Sequence, residues 1–354
     1  MDVSRNFGLE TLICSNNQLE DINLTKNTQL IFLSCHSNLL TKLDLKNNLK
    51  LIRLYCENNL FTSQALNALF ESLNLTRVYG AKVIYIKSNP GSLACDNRIA
   101  ENRGWIISDN SLITMTVEAP QATFSLYGSG PIHIDWGDNS EILKDSLQTG
   151  SQTFNHEYAD AFPHTITIAG YVSTLLCSNT GCTMLDVSKN NWLIYISCSY
   201  NYLTNLNLRN NTMLRTLYCY NNDLSELDVR QNVNLTSLYC YSNQLTRLDL
   251  SANRQLETLY CNSNRLSDLN LNRNVELIRL YCNANQLTKL DVSSCIKLDN
   301  LFCENNQFSA EALNAIFESL HNNYAQNKRV NIAFNPGVDR CDISIAQNKG
   351  WSVY

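Results

Sequence analysis

The chain has 354 residues, of which 44% are hydrophobic, and its 27 basic and 32 acidic side chains leave a formal net charge of −5. This composition supplies ample apolar material for a folded core and excludes a disordered chain. The acidic balance excludes a general attraction to nucleic acid or to an anionic membrane, and no apolar run approaches the roughly 20 residues of a membrane helix. We therefore expect neither a nucleic-acid partner nor membrane insertion of this chain.

Residues 1–60 contain a short repeat. Cys14, Cys35 and Cys56 stand 21 residues apart within the pattern L-x-x-L-x-C-x-x-N-x-L-x-x-L-D-L-x-x-N. A fixed period of this kind indicates a repeat architecture. The alternation around each cysteine predicts a short strand with its apolar side inward. The later leucines return the chain along the convex side, so that three stacked turns share one core.

Residues 61–108 lose the repeat and predict a C-terminal cap. Leu66, Leu69, Phe70 and Leu73 follow the spacing of one helix face. A helix at this place would cover the last turn of the stack, whose apolar cross-section would otherwise face water. The same pattern returns between Phe308 and Leu320, so we predict a second cap over residues 307–354.

Residues 109–170 predict a small all-β sandwich, because short alternating segments are separated by turn residues. The five predicted strands are Leu112 to Val117, Ala122 to Tyr127, Ile132 to Trp136, Gln152 to Tyr158 and His164 to Ala169.

Residues 171–306 form a second array, with seven repeats. Asparagine stands three residues after each cysteine of both arrays, with Thr180 as the one exception, and its amide is expected to bond backbone groups at a sharp bend. The seven cysteines on the 21-residue grid are Cys177, Cys198, Cys219, Cys240, Cys261, Cys282 and Cys303.

The arrays resemble the leucine-rich repeat family, in the short-period, internalin-like form of bacterial surface proteins, with cysteine at the place of a strand leucine. The segment Trp136-Gly-Asp-Asn-Ser with His156-Glu-Tyr158 and Thr165 to Ile168 resembles the polycystic kidney disease (PKD) type of immunoglobulin-like domain, although Asn139 replaces the usual glycine. The predicted fold is thus a leucine-rich repeat solenoid with helical C-terminal caps and an intervening all-β sandwich. Residues 109–354 make a complete module of sandwich, repeats and cap.

Residues 1–108 match the end of a similar module, and Met1 falls at the position of Leu185 in the second one. The first stack would begin in mid-repeat, with leucine-lined core exposed. We therefore expect the natural polypeptide to extend towards the N-terminus, with another sandwich and an export signal.

The cysteines permit a metal or redox hypothesis, because thiols of neighbouring turns would stand about 4.8 Å apart. Core packing explains them better, since each occupies a leucine column without a C-x-x-C motif or a nearby histidine. Asp138 and Asn139 could supply oxygen ligands to Ca²⁺, but a tight turn through Gly137 is the favoured interpretation. We expect no metal site and no cofactor. Because the sequence contains no hydrolase, metalloprotease or phosphate-loop motif, we also expect that the protein is not an enzyme.

The outward-facing strand positions of the second array are rich in aromatic residues. They are expected to form a concave stripe that contacts a protein or glycan ligand, or else to stabilise a solvated sheet face through cross-strand pairs. Arg279 and Glu304 on this face could set the register of a ligand, but a solvated rim pair is the favoured interpretation. The candidate ligand-binding residues are Tyr195, Tyr200, Tyr218, Tyr220, Tyr239, Tyr241, Tyr260, Tyr281 and Phe302.

The resemblance implies a non-catalytic, extracellular binding or adhesion protein of a bacterial cell surface, with a protein or glycan ligand and with the sandwich as a spacer. Fold-level likeness identifies no partner. An accessory binding module of a larger secreted enzyme and a purely structural spacer remain alternatives.

Overall fold

The computed structural model describes residues 1–75, 82–92, 94–108, 112–147, 150–160, 162–323 and 327–354. They fall into two compact units, Met1–Asn110 and Ser111–Tyr354. In both units short parallel strands are stacked in chain order, so the predicted solenoid is confirmed.

Unit 1 is a stack of parallel strands with two helices. The strands are paired in chain order, and Leu33 and Leu54 occupy matching positions on the inward side, where both are fully buried. The described strands are β1 (Thr11–Ile13), β2 (Phe32–Ser34), β3 (Arg53–Tyr55), β4 (Lys82–Tyr85) and β5 (Trp105–Ser108), and the helices are α1 (Ser63–Ser72) and α2 (Arg98–Glu101).

Helix α1 begins at a polar cap and packs one face on the repeats. The Thr62 hydroxyl accepts a hydrogen bond from the Ala65 amide, which satisfies an N–H group that has no partner within the helix. Leu66, Leu69 and Phe70 are fully buried and belong to the same apolar cluster as the repeat leucines. The i, i+3, i+4 spacing thus directs one helix face into the core of the stack.

Unit 2 begins with antiparallel strands and continues as a parallel stack. From Tyr195 to Phe302, residues paired on adjacent strands of this stack are 21 positions apart, as with Tyr218, Tyr239 and Tyr260. The antiparallel strands are β6 (Leu112–Val117), β7 (Gln121–Asp135), β8 (Leu143–Leu147), β9 (Gln152–Glu157), β10 (His164–Leu176) and β11 (Cys182–Asp186). The parallel strands are β12 (Tyr195–Ser197), β13 (Thr216–Tyr218), β14 (Ser237–Tyr239), β15 (Thr258–Tyr260), β16 (Arg279–Tyr281), β17 (Asn300–Phe302), β18 (Arg329–Asn331) and β19 (Ser352–Val353).

Three helical elements lie at the C-terminal end of unit 2 in the described ranges. Helix α3 (Ala310–Ser319) is capped by the Ser309 hydroxyl and buries Leu313, Ile316 and Phe317. A 3₁₀ turn (Val338–Arg340) and helix α4 (Ser344–Gln347) follow. No helix in the described ranges has the length and apolar character needed to cross a membrane.

Strand β10 belongs to both parts of unit 2. It pairs antiparallel with β6 and β7, and its last three residues, from Thr174 to Leu176, pair parallel with β12. One apolar cluster accordingly runs from Ile113 in β6 to Trp351 beyond helix α4. The predicted domain boundary after residue 170 falls inside this strand, where the pairing of β10 with β7 is irregular between Gly170 and Tyr171 and again between Val172 and Thr174.

The asparagine column is bonded as expected. The amide nitrogen of Asn264 donates to the carbonyl oxygens of Cys240 and Cys261 at 3.0 and 3.1 Å, and its oxygen accepts from the Leu245 amide at 2.9 Å. At the exception, the Thr180 hydroxyl donates to the Cys177 carbonyl at 2.9 Å. A hydroxyl therefore supplies part of what the asparagine amide supplies in the other repeats.

Candidate functional site

The strands of unit 2 sort side chains strictly between core and surface. In β14 and the residues after it, Leu238 and Cys240 are fully buried, whereas Tyr239 and Tyr241 are half-buried on the outward face. Ser242 then adopts a positive φ of 53°, which turns the chain away from the sheet. Because the parallel strands are in register, residues at the same position of successive repeats lie side by side.

Five aromatic rings form a continuous stacked row along the outward face. Ring centroids are 4.3 Å apart between Tyr218 and Tyr239, and 4.7 Å between Tyr239 and Tyr260. They are 4.0 Å apart between Tyr260 and Tyr281, and 4.4 Å between Tyr281 and Phe302. Interplanar angles of 6° to 27° show that the rings meet face to face.

The remaining four predicted aromatic residues join this row at its N-terminal end. Tyr195 packs against Tyr218 at 5.5 Å, while Tyr220 stacks on Tyr241 at 4.3 Å and meets Tyr200 edge-on at 5.2 Å. An edge contact of 6.4 Å between Tyr218 and Tyr220 links the two rows. All nine predicted residues therefore lie in one connected set of rings, which we call the aromatic network.

Three tyrosines of the network, Tyr195, Tyr241 and Tyr260, have raised pKa values. Burial raises the pKa of Tyr195 to about 12, helped by the neighbouring Tyr218. Burial, reinforced by the hydroxyl of Tyr281, also raises the pKa of Tyr260, and Tyr241 shifts in the same direction for the same reason, with Tyr220 beside it. These three side chains thus present neutral ring edges and O–H groups rather than charge.

Two polar columns flank the stacked row. One consists of the residues two positions before the row, namely Thr216, Ser237, Thr258, Arg279, Asn300 and Arg329, which pair in register on successive strands. The other consists of residues two positions after the row and contains Asn262, Asn283 and Glu304. We call the first of these the arginine column.

Arg279 and Glu304 do not form the predicted rim pair. Among the ion pairs of the described residues, none joins these two side chains. The reason is geometric, since the aromatic row runs between their columns. Burial instead raises the pKa of Glu304, whose Oε2 atom has no hydrogen-bond partner in the structure.

Sequence reasoning missed two residues of this surface. Tyr202, at 63% exposure, lies next to Tyr200 at the edge of the sheet. Arg329 continues the arginine column, but it follows the non-repeat segment that contains helix α3, so the 21-residue grid does not reach it. Tyr202 could have been predicted from its position two residues after Tyr200, whereas no periodic signal points to Arg329.

The outward face of unit 1 carries a smaller aromatic group. Tyr55 stacks on Tyr85 at 4.4 Å, and Phe32 tilts against Tyr55 at 5.4 Å. Both tyrosines are buried, so this face offers less aromatic surface than the network of unit 2.

Of the 14 cysteines, twelve are buried and two are half-buried, and the twelve buried ones are free thiols in this structure. Burial raises the pKa of Cys240 to about 12, and the other cysteines of the column shift in the same direction, Cys14 least buried among them. A buried, protonated thiol is neither a nucleophile nor a metal ligand. Within the described residues no group of three or more histidine, cysteine or acidic side chains is placed to hold a metal ion.

The Gly137-Asp138-Asn139 segment is a turn. Gly137 and Asn139 have positive φ angles of 78° and 64°. One carboxylate oxygen of Asp138 accepts from the Ser140 amide at 3.0 Å, and the other lies 2.6 Å from Nε2 of His156. Both oxygens are engaged within the protein, which agrees with the turn interpretation.

No model of a known protein family matches the chain, and no curated protein matches it. Among solved structures, it is similar to an internalin of Listeria monocytogenes at 17% identity, over 99% of this chain and 88% of that one, with a TM-score of 0.38. It is similar to a leucine-rich repeat protein of Leptospira interrogans at 17% identity, over 99% and 74%, with a TM-score of 0.40. A third likeness is to the functional domain of InlJ of Listeria monocytogenes, which includes a cysteine ladder, at 22% identity, over 93% and 69%, with a TM-score of 0.23. At these TM-scores the likenesses carry no argument about function.

Proposed function

We propose that the protein is a non-catalytic binding protein in which the aromatic network of unit 2 contacts a polypeptide partner. The observation that carries this proposal is the connected set of nine half-buried or exposed rings on one sheet face. Tyrosine gives broad contact area and a hydrogen-bonding tip at little conformational cost, and it is enriched where proteins bind one another.

The stacking geometry favours a polypeptide over a glycan. A sugar ring binds an aromatic side chain by lying on the ring face. Tyr239, Tyr260 and Tyr281 have both faces covered by neighbouring rings, so they present only edges and hydroxyls to a ligand. Such a ridge suits the mixed apolar and amide surface of a polypeptide.

The rest of unit 2 supports this surface. We propose that the antiparallel strands β6–β11 are a PKD-like sandwich that closes the N-terminal end of the repeat stack, rather than a separate spacer. The shared strand β10 and the continuous apolar cluster support this role. We propose further that residues 61–108 and 307–354 are the C-terminal caps, as the buried faces of helices α1 and α3 suggest.

We also propose an extracellular or cell-surface location and a role in adhesion, as the internalin-like pattern of the repeats implies. Immunofluorescence on intact cells that express the natural gene would test the location. Signal from intact cells supports it, and signal only after permeabilisation contradicts it.

The binding proposal is tested by selection of decapeptides from a random display library on the immobilised full chain. We expect enriched peptides that bind Tyr239→Ala/Tyr260→Ala at least tenfold more weakly. Phe162→Ala removes an aromatic side chain that is 72% exposed and lies outside the network, and it should bind like the wild type. The Tyr239→Phe/Tyr260→Phe variant keeps the stack and separates a packing defect from a lost contact.

Three results would contradict the proposal. The first is a library that yields no binder to the wild type. The second is equal binding by the wild type and the alanine variant. The third is a glycan array that gives network-dependent binding where peptides give none.

A further inference from the structure

The arginine column is a charged strip beside the aromatic network. Its members lie on adjacent strands, with Arg279 and Arg329 on either side of Asn300. With strands about 4.8 Å apart, the two arginine Cα atoms are separated by about 10 Å, which two long guanidinium side chains can span to reach one acidic group.

Both arginines are exposed and have no acidic partner. The ion pairs recorded across the described ranges include neither of them. Asp299 precedes Asn300, the column member between the two arginines, and it accepts a hydrogen bond from the Asn300 side chain. Two unpaired guanidinium groups on one sheet face are a ready site for carboxylates.

The arginine column also touches the aromatic network. The charge of Arg279 acts on the hydroxyls of Tyr239 and Tyr260, where it opposes the effect of burial on the pKa of each. Glu304 lies in the polar column on the other side of the row. The C-terminal half of the outward face is therefore aromatic along its centre and cationic along one side.

We infer that the partner of the proposed function is an acidic, extended polypeptide segment whose carboxylates bind Arg279 and Arg329 while its apolar groups lie on the stacked row. The inference rests on the proposed function and adds the chemistry of the partner. The row from Tyr218 to Phe302 spans four strand steps, or about 19 Å, which corresponds to roughly six extended residues. An extended segment of this length can contact the rings and both arginines together.

The test uses the same decapeptide selection, with the sequences of the binders as readout. On the wild type, we expect aspartate and glutamate to be enriched at least twofold over the starting library. For individual binders, replacement of the acids by asparagine and glutamine should weaken binding about tenfold, which corresponds to about 1.4 kcal/mol. Raising the salt concentration should reduce the difference, because exposed charges are screened.

The Arg279→Gln/Arg329→Gln variant should still select peptides, but without acid enrichment. The matched control is Arg254→Gln/Arg273→Gln, which removes two exposed arginines beside the buried convex-side Asn253 and Asn274, and it should select acidic peptides like the wild type.

The outcomes separate the two claims. Network-dependent binders without acid enrichment overturn this inference and leave the proposed function standing. Acid enrichment that persists in Arg279→Gln/Arg329→Gln also overturns it. No binders at all contradict the proposed function. Arginine-dependent binding of heparin, with no peptide selected, overturns both in favour of a sulfated glycan.

Discussion

Replacement of Asn264 by alanine tests how the asparagine column holds the solenoid together. The substitution removes the one partner that the buried Leu245 amide has among the described residues. It also removes a bond of 3.3 Å to the Asn262 carbonyl oxygen and two bonds to the carbonyl oxygens of Cys240 and Cys261. The two carbonyls keep one asparagine partner each, from Asn243 and Asn285. The lost bonds are thus unequal, because only the amide is left without any partner.

The cost of this change follows from the unpaired amide. A buried group without a partner costs about 1–3 kcal/mol. Each redundant bond adds only about 0.5 kcal/mol, because its carbonyl keeps another partner, so we expect a loss near 3 kcal/mol. For a unit of this size that corresponds to a fall in Tm of about 6–12 °C. Exchange of the Leu245 amide hydrogen should accelerate about a hundredfold if local opening carries the loss.

Calorimetry and hydrogen exchange with site resolution are the assays. Asn17→Ala is the matched control, because Asn17 is exposed and bonds only carbonyls of its own repeat, so it should cost less than about 1 kcal/mol. Asn264→Thr should fall between the two, as Thr180 shows that a hydroxyl can fill this position. If Asn264→Ala lowered the free energy of unfolding no more than Asn17→Ala does, the bonds of Asn264 would not stabilise the solenoid as proposed.

Three further predictions concern thiols and pH. Iodoacetamide should label only Cys95 and Cys341 in the native protein and all 14 thiols after denaturation without reductant, and fewer would reveal disulfides. Hydrogen bonds from Ser140 hold the pKa of Asp138 well below its ordinary value. The stability that the ionised Asp138 contributes is therefore present above about pH 4 and lost as the pH falls. Asp138→Asn should make the Tm of unit 2 fall less steeply with decreasing pH, and unchanged steepness would contradict this. Burial raises the pKa of Glu57 to about 7, so folded unit 1 retains a proton that the unfolded chain has already lost. The stability of unit 1 should therefore decrease as the pH rises from about 5 to 8. Glu57→Gln should abolish this pH dependence, and a dependence retained in the variant would count against it.

The periodicity of the sequence predicts most of the fold and the membership of the aromatic network. A 21-residue grid fixes which side chains share a column, and strict strand alternation fixes which face each one takes. For this reason Tyr239 and Tyr260 could be placed side by side without coordinates. The face-to-face stacking of their rings could not, because it depends on side-chain rotamers that the repeat pattern does not specify.

The misses have equally local causes. Residue 170 lies within strand β10, in which the stretch from His164 to Ala169 pairs with β6 and the last three residues pair with β12, so the end of the predicted sandwich is not the end of a strand. The Arg279–Glu304 pair was inferred from opposite charge on one face, and the intervening aromatic row prevents it. Arg329 was invisible because the segment between β17 and β18 breaks the period.

Site-specific photo-crosslinking tests whether the aromatic network is the binding surface. A photoreactive p-benzoylphenylalanine would replace Tyr239 in the network or Arg273 on the convex side, and each protein would be irradiated with a peptide selected on the wild type. If the network is the binding surface, a covalent peptide adduct forms from position 239 and none forms from position 273. An adduct from position 273, with none from position 239, would contradict it.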